Sequence, residues 1–243
     1  MNSQKNVLVT GASRGIGRAI ATRLTQDGYR IINFDKSAPS SLLAGEDFHL
    51  IDITDSKAVV ALIHEIASHT PILRLVNNAG IIKPGALENV TESDFDAVCA
   101  LNLKAPMVLA QCLMPYMQKA NFGRIVNIAS RAALGKEERT AYAATKAGLI
   151  GMTRTWALEM AQFGVTVNAI GPGPIATELF TSGNPPDAPK TIKIIKNIPV
   201  KRMGQPEDVA NTAAYLIDDR TSFVTGQTLY VCGGITVGLS NAS

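Results

Sequence analysis

Residues 6–21, Asn6-Val7-Leu8-Val9-Thr10-Gly11-Ala12-Ser13-Arg14-Gly15-Ile16-Gly17-Arg18-Ala19-Ile20-Ala21, run from an apolar β-type stretch through a Gly-rich turn into a helical pattern. Glycine allows a tight turn and lets a pyrophosphate approach the backbone N–H groups at the positive end of a helix. A Gly-rich triplet alone also simply closes turns. Here it stands in the strand–turn–helix context that a dinucleotide cradle requires.

The same alternation continues outward. Short β-branched runs at 6–10, 31–35, 48–52, 73–77, 124–128, 165–170 and 228–231 read as strands, and 15–26, 56–68, 92–118, 142–163 and 206–217 read as helices. Runs such as VLVT and RIVNI are almost wholly apolar, as expected where helices cover both faces of a parallel sheet. The pattern predicts a single α/β domain over residues 1–243, a doubly wound Rossmann fold with a seven-stranded parallel sheet. Residues 178–200 break the rhythm with a Gly-Asn-Pro-Pro turn and an amphipathic TIKIIKNI piece. Such an excursion is expected to be a substrate loop or lid.

Composition narrows the classes. The 243 residues carry 23 basic and 20 acidic side chains, a net charge of +3, with no polybasic run to engage nucleic acid. No apolar run reaches the ~20 residues of a membrane span. The N-terminus leads straight into a strand without a secretory pattern, so a cytoplasmic protein is expected. Cys99, Cys112 and Cys232 are odd in number and scattered, indicating neither a disulfide framework nor a zinc site; buried free thiols are expected. His49, His64 and His69 lie away from every motif, and no metal is expected.

Asp35 ends the second strand, 18 residues after Gly17, near where an acidic residue meets the adenosine ribose. A carboxylate there accepts from ribose hydroxyls and repels a 2′-phosphate, favouring NAD(H); its alternative role is to cap the strand. Arg14 and Lys36 oppose this preference, since either could attract a 2′-phosphate, so NADP(H) stays open. Tyr142 and Lys146 in AYAATKAG are four apart, side by side on one helix face. A tyrosine has an ordinary pKa of about 10, and bringing it near 7 takes about 4 kcal/mol, which a close cation is suited to supply. The pair is a candidate general acid/base at an oxygen atom.

TGASRGIG at 10–17, Asp52-Ile53 after the third strand, Asn77-Asn78-Ala79-Gly80 after the fourth, Asn102, Ser130 and Tyr142-x-x-x-Lys146 together resemble the short-chain dehydrogenase/reductase family. The resemblance runs on through Gly171-Pro172-Gly173, Ile175 and Thr177 to Gly226-Gln227-Thr228. It implies that Tyr142 is the acid/base, that Lys146 lowers its pKa and holds the nicotinamide ribose, and that Ser130 hydrogen-bonds the substrate oxygen. Asn102 would anchor a water of a proton relay. Gly11, Ser13, Arg14, Gly15, Ile16 and Gly17 would form the pyrophosphate turn, and Asp52 and Ile53 would contact adenine. Asn78, with Ala79 and Gly80, would lie near the adenosine side. Pro172, Gly173, Ile175 and Thr177 would stand by the nicotinamide, Ile175 and Thr177 at its amide.

Within the family, AYAATKAGLIGMTRTWALEMAQFGVTVNAIGPGPIATEL is most similar to 3-oxoacyl-[acyl-carrier-protein] reductases of fatty acid biosynthesis. That resemblance implies an acyl-thioester substrate, acyl carrier protein as a partner, and a homotetramer. One two-fold would pair the helices at 92–118 and 142–163; the last strand and C-terminal tail would form the other. Trp156 and Met160 suit either that contact surface or the core. The sequence departs from the reductases in three places. Asn121 and Phe163 stand where carrier-docking arginines are expected, with Lys119 and Arg124 as nearby substitutes. Asp35 departs from their usual NADPH preference. Ser130 and Tyr142 are twelve apart, one fewer than commonest, with the charged Lys136-Glu137-Glu138-Arg139 between them. An NAD-dependent secondary-alcohol or sugar-alcohol dehydrogenase is the alternative. A non-catalytic nucleotide-sensing protein would not need Ser130, Tyr142, Lys146 and Asn102.

Overall fold

The computed structural model describes residues 5–185 and 187–238; Pro186 of the Gly-Asn-Pro-Pro turn and residues 239–243 of the C-terminal tail lie outside the described residues. Strands β1 (Asn6–Thr10), β2 (Arg30–Asp35), β3 (Asp47–Leu50), β4 (Arg74–Asn77), β5 (Gly123–Ile128), β6 (Val165–Pro172) and β7 (Thr228–Val231) form one seven-stranded sheet in the order β3-β2-β1-β4-β5-β6-β7. Every pairing is parallel. β6 runs two residues beyond its expected end because Gly171 and Pro172 still pair with Tyr230 and Val231.

Helices α1 (Gly15–Gln26) and α8 (Pro206–Ile217) cover one face, while α2 (Ser56–His69), α4 (Ala105–Ala120) and α5 (Thr140–Met160) cover the other. Two cores result. Val7, Val9, Ile20, Leu24, Val126 and Ile217 fill the first, and Leu8, Phe34, Ile63, Leu109, Met117 and Trp156 the second. Successive β1 side chains enter opposite cores, which is why its whole run is apolar. Trp156 and Met160 both belong to the core, at 9% and 1% exposure.

The helix expected at 92–118 differs. It consists of α3 (Glu92–Cys99), a π-helical segment Ala100–Lys104 and α4, and its break falls at Asn102. This 29-residue stretch is long and apolar enough to cross a membrane by length and composition, which corrects the reading that no run approaches a span. In this structure its apolar face, including Leu109, Leu113 and Met117, packs into the core. The excursion after β6 holds α6 (Glu178–Gly183) and α7 (Pro189–Asn197).

Arg124 is 2% exposed, which removes it as a substitute docking residue. Its guanidinium donates to the carbonyls of Gly123, Gly164, Asp218 and Asp219 and stacks 4.4 Å from the Phe122 ring. Charged hydrogen bonds of this kind stabilise by about 1.5–3 kcal/mol each, and their loss leaves buried acceptors unpaired. Arg124→Ala is expected to destabilise the fold by about 3 kcal/mol or more in urea unfolding. Turnover of the surviving folded protein should change little, because Arg124 lies at the N-terminal end of β5 and Ser130 follows its C-terminal end.

Candidate active site

The strand order reverses between β1 and β4, and the turns leaving their C-terminal ends face each other there. Such a switch point is where open α/β sheets bind ligands. The Thr10 hydroxyl accepts from the N–H groups of Asn78 and Ala79, both at 3.0 Å. The Asn78 amide donates to the carbonyls of Thr10 and Gly11 at 2.9 and 3.0 Å. Asn78 thus braces the Gly-rich turn from below. A Cβ on Gly17 would lie 2.0 Å from the Gly11 oxygen and 2.4 Å from Asn78 Nδ2, so no side chain fits.

The start of α1 carries no side-chain cap and no acidic residue in its first turn. Asp55, Thr91 and Thr177 cap α2, α3 and α6, whereas α5 and α7 start uncapped as α1 does. An uncapped helix start beside a glycine turn that no Cβ could enter suits a pyrophosphate. Ser13, Arg14, Gly15 and Ile16 frame this cradle, and Thr177 Cγ2 stands 3.6 Å from where a Gly15 Cβ would be, at the opposite wall. The residues present therefore fit a dinucleotide.

At the adenosine end, Asp35 accepts from the N–H of Ser13 at 3.1 Å and of Ser37 at 3.2 Å, so its carboxylate is oriented by the turn it serves. Lys36 is drawn away to Asp52 at 2.7 Å. Burial pushes the Asp52 carboxyl up, but hydrogen bonds from Lys36 and Thr54 outweigh it and hold the group below its ordinary range. The Ile53 side chain is buried in the core, and Arg14 stays exposed. Two further residues, unread in the sequence, complete this end. Asn33 accepts from the Ala12 N–H and donates to Ser13 Oγ and Glu46, and the Glu46 carboxylate, fully buried, pairs with Arg18 at 2.8 Å. Asn33 had a signal, a polar residue within the apolar RIINFD strand; Glu46 lies in a polar loop and had none.

At the other end, Ser130 follows β5, where its hydroxyl accepts from the Ala132 N–H at 3.1 Å, and Tyr142 lies in the first turn of α5. The expectation that Lys146 lowers the Tyr142 pKa does not describe this geometry. Lys146 Nζ donates to the Ile128 carbonyl at 2.7 Å and sits 5.7 Å from the centre of the Tyr142 ring. Burial dominates and raises the phenol above its ordinary value, opposed by the Ser130 hydrogen bond and the Arg139 charge. Lys146 is itself buried, which brings its ammonium down to about 8.

Asn102 lies at the π-helical break, completely buried. Its Oδ1 accepts from the Ile81 N–H and its Nδ2 donates to the Ile81 carbonyl, both at 2.9 Å, and Thr145 Oγ1 is 3.4 Å away. A Cβ on Gly80 would come within 3.1 Å of Asn102 Oδ1 and 3.5 Å of Lys146 Nζ. Gly80, Asn102 and Lys146 are therefore neighbours. Near the excursion, Gly173 donates to the Val231 carbonyl at 2.9 Å, Ile175 is buried, and Thr177 caps α6. Pro172 ends β6. Cys232 is buried, but Cys99 and Cys112 are half-buried, less enclosed than expected; all three are free. Among the described residues no group of three or more His, Cys, Asp or Glu could hold a metal ion.

Comparison with known proteins agrees with this arrangement. The family profile described as enoyl-(acyl carrier protein) reductase matches residues 11–236. The chain is 37% identical over 237 residues to the (2S)-[(R)-hydroxy(phenyl)methyl]succinyl-CoA dehydrogenase subunit BbsD of Thauera aromatica, covering 93% of this chain and 94% of that protein. It is 37% identical over 247 residues to the 3-oxoacyl-[acyl-carrier-protein] reductase FabG of Staphylococcus aureus, covering 97% and 99%. A crystal structure with NADP at low occupancy, of a Beutenbergia cavernae protein assigned as an NAD(P)-dependent gluconate 5-dehydrogenase, superposes with a TM-score of 0.89 at 32% identity, covering 98% of each chain. With the parallel sheet, the Gly-rich cradle at its switch point and the Ser130–Tyr142–Lys146 cluster, these matches place the chain in the short-chain dehydrogenase/reductase family, as an oxidoreductase interconverting an alcohol and a carbonyl.

Proposed function

We propose that this protein is an NADH-preferring reductase of the 3-oxoacyl-[acyl-carrier-protein] type, a single domain in which residues 178–200 close over the substrate. The observation that carries this reading is the placement of the Tyr142 phenol in the first turn of α5, with Ser130 just after β5 and the buried Lys146 one helical turn on. A protonated donor at neutral pH suits carbonyl reduction, where a proton must be delivered.

When bound, a nicotinamide dinucleotide supplies the hydride. The Gly-rich turn would hold its pyrophosphate, Asp35 its adenosine ribose, and Asp52 and Ile53 its adenine. Asn78, Ala79 and Gly80 would line the path between. Tyr142 and Lys146 would hold the nicotinamide ribose, and Pro172, Gly173, Ile175 and Thr177 the nicotinamide end. Ser130 and Tyr142 donate to the substrate oxygen as negative charge grows on it, and Tyr142 gives up its proton. Asn102, by fixing Ile81 to the helix break, would set the place of a relay water.

The NADH preference rests on the fixed Asp35 carboxylate and on the commitment of the nearby cations. Lys36 is held by Asp52 and Arg18 by Glu46, leaving Arg14 as the exposed cation of the turn. Two of the relatives above are named for thioesters, one of acyl carrier protein and one of CoA. With Arg124 buried and Asn121 and Phe163 uncharged, carrier-protein docking falls to Lys119, so a free thioester fits as well as a carrier-bound one. The gluconate dehydrogenase likeness favours a second reading, an NAD-dependent secondary-alcohol or sugar-alcohol dehydrogenase. A homotetramer in the cytoplasm is also proposed. Leu158 on α5 is 83% exposed, and Met107 on α4 and Phe223 before β7 are also exposed, which supplies apolar surface for two contacts.

Tyr142→Phe is expected to lower kcat for acetoacetyl-thioester reduction by about 10²–10⁴-fold with NADH binding unchanged, read by steady-state kinetics and fluorescence titration. No thioester turnover by the wild type with either cofactor, alongside oxidation of secondary alcohols, would select the second reading. Wild-type protein should bind NADH at least about tenfold more tightly than NADPH, and Asp35→Ala should erase that ratio. Lys146 adds a pH prediction. Its folded pKa, about 8, lies below the ordinary 10.5, so its contribution is complete above 10.5 and is lost as pH falls through about 8. From pH 8 to 9.5 the wild type should gain about 2 kcal/mol in urea unfolding relative to Lys146→Met.

A further inference from the structure

The loop between β2 and β3, residues 36–46, has no regular structure and is mostly exposed, yet it ends on a side chain wholly closed to solvent. An acidic residue in a Gly-Glu-Asp stretch would ordinarily be solvated. Here the Glu46 carboxylate takes hydrogen bonds from three parts of the chain. Arg18 Nη1 on α1 donates to Oε1 at 2.9 Å and to Oε2 at 2.8 Å. Asn33 Nδ2 on β2 donates to Oε1 at 2.9 Å, and the Leu43 N–H donates to Oε2 at 2.8 Å. The second Arg18 nitrogen, Nη2, donates to the Ser41 carbonyl. A buried carboxylate is tolerated only when it is paired and hydrogen-bonded, as this one is.

Fold stability alone does not call for this arrangement, because apolar residues of similar volume often replace a buried ion pair at little cost. What an apolar residue could not do is orient Asn33, which is completely buried in β2. The asparagine amide has two ends of nearly the same shape, one that accepts and one that donates. A carboxylate only accepts, so Glu46 draws Nδ2 and turns Oδ1 toward the Gly-rich turn. There Oδ1 accepts from the Ala12 N–H at 3.2 Å, while Nδ2 also reaches Ser13 Oγ at 3.2 Å. The reversed amide would set donor against donor at Ala12 and acceptor against acceptor at Glu46. The Ser13 N–H in turn fixes Asp35 Oδ2 at 3.1 Å.

We propose that Glu46 is a positioning residue for the adenosine half of the cofactor, acting through Asn33 to set Ala12 and Ser13, and through Ser13 the Asp35 carboxylate. The proposal rests on the dinucleotide reading of the cradle, and on neither the preferred dinucleotide nor the substrate. Glu46 itself touches no cofactor, since its side chain is closed to solvent. Its effect is to hold the turn and the ribose-binding carboxylate in one arrangement before the ligand arrives, which a site built on a loop needs from its supporting contacts. Arg18 compensates the buried charge, and Leu43 ties the end of the loop to the same carboxylate.

The test reads binding of ADP-ribose and of 2′-phospho-ADP-ribose by calorimetry, beside stability in urea. Glu46→Gln keeps the volume but can donate as well as accept, so it no longer selects one end of the Asn33 amide. The Kd of whichever ligand the wild type binds more tightly should rise about tenfold. Arg18→Met combined with Glu46→Leu removes both charges, and should keep the urea midpoint near that of the wild type while Kd rises as much. Recovery of stability and affinity together in the double variant, or an unchanged Kd in folded Glu46→Gln, would overturn the proposal. Where a variant fails to fold, amide exchange in the wild type decides. Positioning is reciprocal, so ADP-ribose should slow exchange at Leu43, which bonds to Glu46, together with Ala12, which bonds to Asn33. Slowing at Ala12 alone would count against Glu46. Wild-type protein that binds neither ligand would sink the dinucleotide reading and this proposal with it. Wild-type binding that the variants leave untouched sinks the role of Glu46 alone.

Discussion

The bracing of the first turn by the fourth strand's loop is the constraint on which the rest depends. Asn78 spends its amide on the carbonyls of Thr10 and Gly11, while the Thr10 hydroxyl takes the N–H groups of Asn78 and Ala79. These bonds join the ends of β1 and β4 at the point where the sheet reverses its order. They also leave the Gly17 Cα so close to the Gly11 carbonyl that only hydrogen fits there. With the turn fixed, the first N–H groups of α1 face outward without a cap, and Asp35 is set by a hydrogen bond to Ser13 within the same turn. The anion end and the ribose end of the cleft are therefore positioned by one small set of contacts.

The same loop, a few residues on, reaches the proton-handling end. Ile81 is held at both N–H and carbonyl by Asn102, and that demand coincides with the π-helical segment between α3 and α4. π-Bulges inside helices often mark functional positions, because the widened turn redirects one side chain. Asn102 pins the loop beside Gly80, and Gly80 borders Lys146. Lys146 is buried against the Ile128 carbonyl at the end of β5, next to Ser130. Cradle and proton site are thus two ends of one bonded path. The price is a lysine and a tyrosine both displaced from their ordinary pKa values by burial.

Much of this was legible in the sequence. The strand–turn–helix at 6–26, the apolar runs and the i, i+4 spacing of Tyr142 and Lys146 depend on local periodicity and on residue types with few alternatives, and the strands fell within a residue or two of their places. The break at Asn102 was not legible, because a helix with a π segment keeps an apolar face on both sides of it. Arg124 read as a surface charge, since nothing in GRIVNI announces that four carbonyls from three segments converge on its guanidinium.

By itself, then, the sequence determined the order of elements, the parallel sheet and the chemical types available for the site, because these follow from period, glycine placement and side-chain chemistry. Only the tertiary structure decided which charges are spent and which remain. It gave Lys36 to Asp52, Arg18 to a buried Glu46 and Arg124 to the interior. Pairing and desolvation depend on distances between segments far apart in the chain, and those distances exist only once the sheet has brought them together.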